Sequence, residues 1–163
     1  MSKLRFLTGY PPEVVTRVEQ LLDSGELAPW LTKRYPDRNE IQTDKALYDY
    51  VIEIKQRYLK NAPQPARVQY DNQLDLIGGT LGTNTFASRV QGSKLKRKNE
   101  IRIATLFRDT PPEFLNMIVV HELAHLKEKD HNKAFYQMCC HMQPDYHQLE
   151  FDLRVWLTLR EQG

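Results

Sequence analysis

Cysteine is scarce in this chain: its 163 residues include two, Cys139 and Cys140, and adjacent cysteines are poorly placed to bridge one another. A disulfide framework is excluded, and the chain reads as a protein of a reducing, cytoplasmic compartment. Long apolar runs are missing as well. No stretch approaches the roughly 18 residues of a membrane-spanning helix, and the start, Met1-Ser2-Lys3-Leu4-Arg5-Phe6-Leu7, lacks the apolar segment of a secretory leader. Charge of one sign is not in excess. A formal net charge of +2 is too small to indicate a nucleic-acid partner by itself. There is no Gly-x-x-x-x-Gly-Lys-Ser/Thr phosphate loop, no obvious acidic cluster for magnesium, and no internal repeat. What is present is the make-up of an ordinary globular domain, 40% apolar and 27% charged, of a length that buries one core.

Hydrophobic spacing divides the chain into helices, then strands, then helices. Pro11-Pro12 opens a first helix with Val14, Val18, Leu21 and Leu22 on its core face. A polar stretch from Arg34 to Gln42 separates it from a second helix, capped by Thr43 or Asp44 and striped by Leu47, Val51, Ile54 and Tyr58. Asn61-Ala62-Pro63-Gln64-Pro65 ends that helix and is the best linker candidate. Beyond it the period moves towards two: Val68 and Tyr70, Leu74 and Leu76, then residues 85–90 and 100–106, punctuated by Gly78-Gly79, Gly82 and Gly92. After residue 110 helices return. One carries Phe135, Met138, Cys139 and Met142 behind an Asn132 cap; Gln143-Pro144 breaks the run, and a last helix holds Leu149, Leu153, Trp156 and Leu157. The order predicts an α+β fold. We expect one domain over 1–163, with a helical N-terminal subdomain (1–62) packed on a catalytic core (63–163).

The chemistry is concentrated in His121-Glu122-Leu123-Ala124-His125, followed by His131. Histidines four apart on a helix stand one above the other on the same face. Each can give one imidazole nitrogen to a single metal ion, with zinc the usual occupant, and the glutamate between them is placed to take a proton from water there. The context is apolar: Phe114, Leu115, Ile118, Val119, Leu123 and Leu126 keep helical spacing after Pro111-Pro112-Glu113. A helix apolar on most sides is a buried one, and buried histidines need partners, which a metal supplies. Catalytic zinc normally has three protein ligands. His131, past the expected end of the helix near Lys127, is the first choice for the third; His141, His147 and Glu150 are its rivals. Glu122 is the candidate base, and one zinc ion per chain is the expected cofactor.

The stretch 118–135 resembles the YgjP-like zinc metallopeptidase family. So do Tyr48, Val68-Gln69-Tyr70-Asp71-Asn72, Ser88-Arg89-Val90-Gln91-Gly92 and Tyr146-His147-Gln148-Leu149-Glu150-Phe151, and the gap from first to third histidine is also similar to that of SprT-like proteases. The resemblance implies His121, His125 and His131 as zinc ligands and Glu122 as base. It also implies a minimal zincin (minigluzincin-like) fold: a small antiparallel or mixed sheet on the active-site helix, with helices at both ends.

The first functional expectation is a metallopeptidase acting on a peptide or protein, bound along a free sheet edge that residues 100–106 could form. The alternative is a nucleoside triphosphate pyrophosphatase acting on UTP, an activity also attached to this family; a non-catalytic zinc module is a further one. A phosphoanhydride substrate needs positive charge around its oxygens, which Lys94, Lys96, Arg97 and Lys98 with flanking Arg89 and Arg102 could offer. Arg89, Arg102 and Tyr136 are the candidate substrate contacts. Tyr136, His141, Tyr146 and His147 are the candidates for holding an oxyanion.

Overall fold

The structure is a computed structural model that describes residues 4–74, 88–92 and 99–162, with the backbone alone at 73, 88–92 and 99. The fold is α+β, as the order of periodicities predicts. Its described elements are α1 (Pro12–Ser24), α2 (Leu27–Arg34), α3 (Asp44–Tyr58), β1 (Arg67–Asp71), β2 (Ser88–Gly92), β3 (Asn99–Ala104), α4 (Pro112–Ala124), α5 (Lys133–Met142) and α6 (Tyr146–Gln162).

The expected helix ends are set by local chemistry. Thr43 caps α3, its Oγ1 accepting from the Ala46 amide at 3.1 Å, and Asn132 caps α5, its Oδ1 accepting from the Phe135 amide at 2.9 Å. Each satisfies an otherwise orphaned backbone donor. Gly25 ends α1 in the left-handed conformation, φ 80°, where a side chain would be strained. Helix α2 was not expected. It is short, and Pro29 sits inside its first turn, where proline is tolerated but reads as a breaker. On α3, Leu47 and Val51 are buried as expected, whereas Lys55 takes the interior position instead of Ile54 or Tyr58, its Nζ donating to the Lys60 carbonyl at 3.4 Å.

The sheet is mixed and runs β1-β3-β2, with β1 parallel and β2 antiparallel to β3. This corrects the expectation that residues 100–106 form a free edge: β3 is the central strand and leaves no edge for a peptide to extend. Ile101 and Ile103 on its inner face are fully buried, while Arg102 points to the opposite face. Alternation reports which face is buried but not how many neighbours a strand has. The strand also stops at Ala104, and residues 105–108 form a 3-10 turn. Asn72–Leu74 is a 3-10 turn too, not a strand. Leu76, Gly78, Gly79, Gly82 and residues 85–87 lie outside the described residues.

Helix α4 is the centre of the core. Phe114, Leu115 and the eight residues from Met117 to Ala124 are all buried, with α3, α5, α6 and the sheet packed around it. The polar stretch before α3 does more than connect. Asn39 is buried, and its Nδ2 donates to the carbonyls of Phe107 (2.8 Å) and Thr110 (2.9 Å), pinning the turn that feeds α4. Among the described residues no helix is long and apolar enough to cross a membrane.

A second buried polar centre ties α2 to α6. Asp152 is fully buried. It accepts from the Tyr35 hydroxyl, from Gln148 Nε2 at 2.9 Å and from Arg34 Nε at 3.1 Å. Removing the carboxylate leaves buried donors without their acceptor. Asp152→Ala is expected to destabilise the protein by about 3 kcal/mol, read as a lower urea midpoint; an unchanged midpoint would contradict this role.

Candidate metal centre

Helix α4 brings His121 and Glu122 into the core at 5% and 1% exposure, and it stops at Ala124. His125 is the next residue and keeps helical dihedrals, φ −68° and ψ −14°, so it still stands one turn above His121. The chain then folds back. The amides of Lys127 and Glu128 both donate to the Ala124 carbonyl, at 3.1 and 2.9 Å. Asn132 Nδ2 reaches across the loop to Glu128 Oε1 at 3.1 Å. This closed turn returns His131 to the helix end just ahead of the Asn132 cap.

Three imidazoles converge as a result. His125 Nε2 lies 2.9 Å from His131 Nε2, and His131 Nε2 lies 3.4 Å from His121 Nε2. Among the described residues these three histidines form the group of side chains that could hold a metal ion. A tetrahedral ion with bonds of about 2.0–2.1 Å holds its nitrogens roughly 3.3 Å apart, and the observed separations bracket that value. The tautomer of one ring is settled by its partner. His125 Nδ1 is 2.9 Å from the Glu128 carbonyl oxygen; a carbonyl can only accept, so Nδ1 carries the proton and Nε2 offers a lone pair. His121 Nδ1 lies 2.7 Å from the Tyr146 hydroxyl oxygen. Three imidazole donors, two of them with the outer nitrogen engaged, fit a metal such as zinc.

The surroundings favour the neutral form. Burial lowers the pKa of His125 below its ordinary value, against hydrogen bonds to the backbone of Glu128 and Lys129. Burial, and then the neighbouring His125, lowers that of His131. The Phe135 ring, fully buried, packs against all three histidines, with centroids 5.0, 4.5 and 4.7 Å from those of His121, His125 and His131. Glu122 Oε2 is 3.9 Å from His121 Nε2.

The other candidates fall at different distances from this cluster. Tyr136 is half-buried at its rim, its ring 6.4 Å from that of His131 and 5.3 Å from that of His147. His147 faces solvent with its Nδ1 3.6 Å from Glu150 Oε1, and His141 packs edge-on against Tyr58; neither these nor Glu150 joins the converging group. Arg102 is engaged by Asp71 at 2.9 Å and Glu100 at 2.8 Å on the outer face of the sheet. The backbone of Arg89 is paired opposite Arg102 on β2, while its side chain, like Lys94, Lys96, Arg97 and Lys98, lies outside the described residues. From the sequence, Phe135 reads as helix core and Tyr146 as an oxyanion candidate, whereas the structure sets both rings against the histidines. Phe135 does carry a signal: it lies four residues after His131 on the face that Asn132 turns inward.

The histidine environment has a consequence for the metal-free protein. The folded state disfavours protonation of His125 and His131, so below the ordinary histidine value of 6.5 the unfolded chain binds more protons. Stability then falls as pH falls through that window. Urea midpoints of chelator-treated protein are expected to drop between about pH 7 and about pH 5.5, with a shallower slope in His125→Gln. A flat profile, or the same slope in the variant, would contradict this.

Two comparisons with known proteins bear on the site. Residues 31–155 match the family described as YgjP-like, metallopeptidase domain. A protein of Escherichia coli (strain K12) named UTP pyrophosphatase is 56% identical over 158 residues, covering 97% of this chain and 95% of its own length. No solved structure matches. The relative's name overturns the first functional expectation. A likeness of that extent across nearly the whole chain outweighs the peptidase word in a family description, and the reading as a peptide-bond hydrolase is withdrawn.

Proposed function

The chain belongs to the YgjP-like metallopeptidase-domain family and is a metal-dependent hydrolase, and from that premise we propose that it hydrolyses nucleoside triphosphates, UTP foremost, to the monophosphate and pyrophosphate at a zinc centre held by His121, His125 and His131. One observation carries the reading: three Nε2 atoms converge beside a buried carboxylate in a chain 56% identical to a UTP pyrophosphatase.

Zinc, when bound there, supplies positive charge for phosphate oxygens and lowers the pKa of a coordinated water towards neutrality. The remaining work falls to side chains. His125 keeps its Nδ1 proton on the Glu128 carbonyl, and its free Nε2 stays aimed at the centre. Phe135 closes the apolar side of the histidine cluster and keeps bulk water from it, which strengthens every charge interaction inside. Glu122 is the general base: its carboxylate accepts a proton as the water oxygen bonds to the α-phosphorus. The bond from that phosphorus to the bridging oxygen breaks, and its electron pair leaves with pyrophosphate. Tyr136, on the rim beside His131, is the contact proposed for the nucleotide. Arg102 is already held by two carboxylates and has no part in this reading. Residues 1–163 act as one catalytic unit, supported by a buried core continuous from Leu4 to Leu157.

The test is a nucleotide panel run with the zinc-loaded protein and with Glu122→Gln. UTP is expected to yield UMP and pyrophosphate, with turnover down by roughly 10²–10⁴-fold in the variant while its zinc content stays the same. Absence of nucleotide hydrolysis by the zinc-loaded protein would overturn the substrate reading; undiminished turnover in Glu122→Gln would overturn the role of the base.

A further inference from the structure

Beside the three histidines stands a short wall of rings, and its outer part has no role in the hydrolysis step. Two routes of ring contacts lead to it. Tyr136 of α5 lies 6.4 Å from the His131 ring and 5.3 Å from the His147 ring, centroid to centroid. Tyr146 of α6 lies 6.4 Å from the His121 ring, nearly parallel to it at 14°, and meets His147 edge-on at 5.3 Å. His147 is therefore one ring removed from two of the three proposed ligands. It sits on the first turn of α6, with Glu150 three residues further along the same face. His147 Nδ1 is 3.6 Å from Glu150 Oε1, and the side chains are 61% and 26% exposed. That separation exceeds a hydrogen bond, and among the described residues neither side chain hydrogen-bonds to another group. An imidazole brings an N–H donor, and a carboxylate accepts only. A donor and an acceptor thus stand side by side, uncommitted, next to the half-buried Tyr136 ring. As a surface ion pair they contribute little to the fold.

The chemistry of this trio matches one base. A uracil ring offers an N3–H donor flanked by two carbonyl acceptors. Cytosine is equal in size, but it presents a bare N3 acceptor beside an amino donor. Facing a carboxylate and an imidazole N–H, uracil meets acceptor with donor and donor with acceptor. Cytosine sets like against like and leaves both protein groups unpaired, which is the stronger source of rejection. An aromatic ring stacks on any base and does not tell the two apart. The inference rests on the reading of the site as a nucleotide hydrolase: a triphosphate whose phosphates lie at the histidines holds its base about a ribose away, where Tyr136 and His147 stand. We propose that Tyr136, His147 and Glu150 form the nucleobase subsite. Tyr136 is the stacking face, the Glu150 carboxylate accepts from N3–H, and the His147 ring donates to the O4 carbonyl. This edge selects uracil over cytosine.

The test is calorimetric binding of the hydrolysis-resistant α,β-methylene analogues of UTP and CTP to the zinc-loaded protein, with turnover of the natural nucleotides measured on the same preparations. The parental protein is expected to bind the uridine analogue at least about tenfold more tightly than the cytidine one. Glu150→Gln, whose amide accepts or donates, is expected to bring the two within about threefold. His147→Phe keeps a ring and removes the donor; it is expected to weaken the uridine analogue by about 2–10-fold without weakening the cytidine one. Tyr136→Ala is expected to weaken both analogues by a similar factor, about 5–100-fold. All three variants are expected to hold parental zinc. A parental protein without the preference, or a preference that survives in Glu150→Gln and His147→Phe, would overturn the subsite, while UTP turnover by the same protein leaves the activity standing. Loss of zinc in Glu150→Gln would also overturn it, by making that carboxylate a ligand. A uridine preference that the variants lose, without turnover of any nucleotide, would reject the activity and keep the subsite. Binding of neither analogue and turnover of neither nucleotide would reject both.

Discussion

The structure depends on one constraint: a helix carries an imidazole and a carboxylate into an apolar core, and both must be satisfied where water does not reach. Helix α4 is buried on nearly every side, so His121 and Glu122 have almost no solvent to fall back on. The elements around α4 answer that demand for the imidazoles. The closed turn after Ala124 brings back a carbonyl for His125 and a third imidazole, helix α6 presents a hydroxyl to His121, and α5 contributes an aromatic ring against all three histidines. A neutral imidazole set of this kind is costly to protonate and ready to ligate, so burial itself selects the chemistry.

Much of this was legible because it is local. The spacing of His121 and His125, the Pro111-Pro112 opening and the Asn132 cap are short-range signals, and the elements they announce are observed. What could not be read is what depends on partners distant in sequence. Alternation in residues 100–106 identified the buried isoleucines but not the strands on either side of them, so a central strand passed for an edge. Tyr146 lies 25 positions beyond His121, and the helix packing that brings them together leaves no periodic trace. Helix α2 was hidden by its proline, and Lys55 by the prior that lysine stays outside.

The substrate is a separate matter from the site. Converging imidazoles and a carboxylate specify how a water is activated, and that serves an amide or a phosphoanhydride equally well. A motif shared with peptidases therefore led to peptide hydrolysis as the first expectation, and it took a likeness across the whole chain to redirect it. Residues 99–104 could not have served as the peptide edge in any case, because β3 is paired on both sides and offers no free backbone row for an added strand.

The position of the metal decides the chemistry of this protein. X-ray absorption on protein loaded with one equivalent of zinc, together with the anomalous map of its crystals, locates the ion directly. Zinc coordinated by the Nε2 atoms of His121, His125 and His131, with nitrogen distances of about 2.0–2.1 Å, is the result expected. An ion bound elsewhere, through Glu150 or His147, or with fewer than three imidazoles, would contradict it.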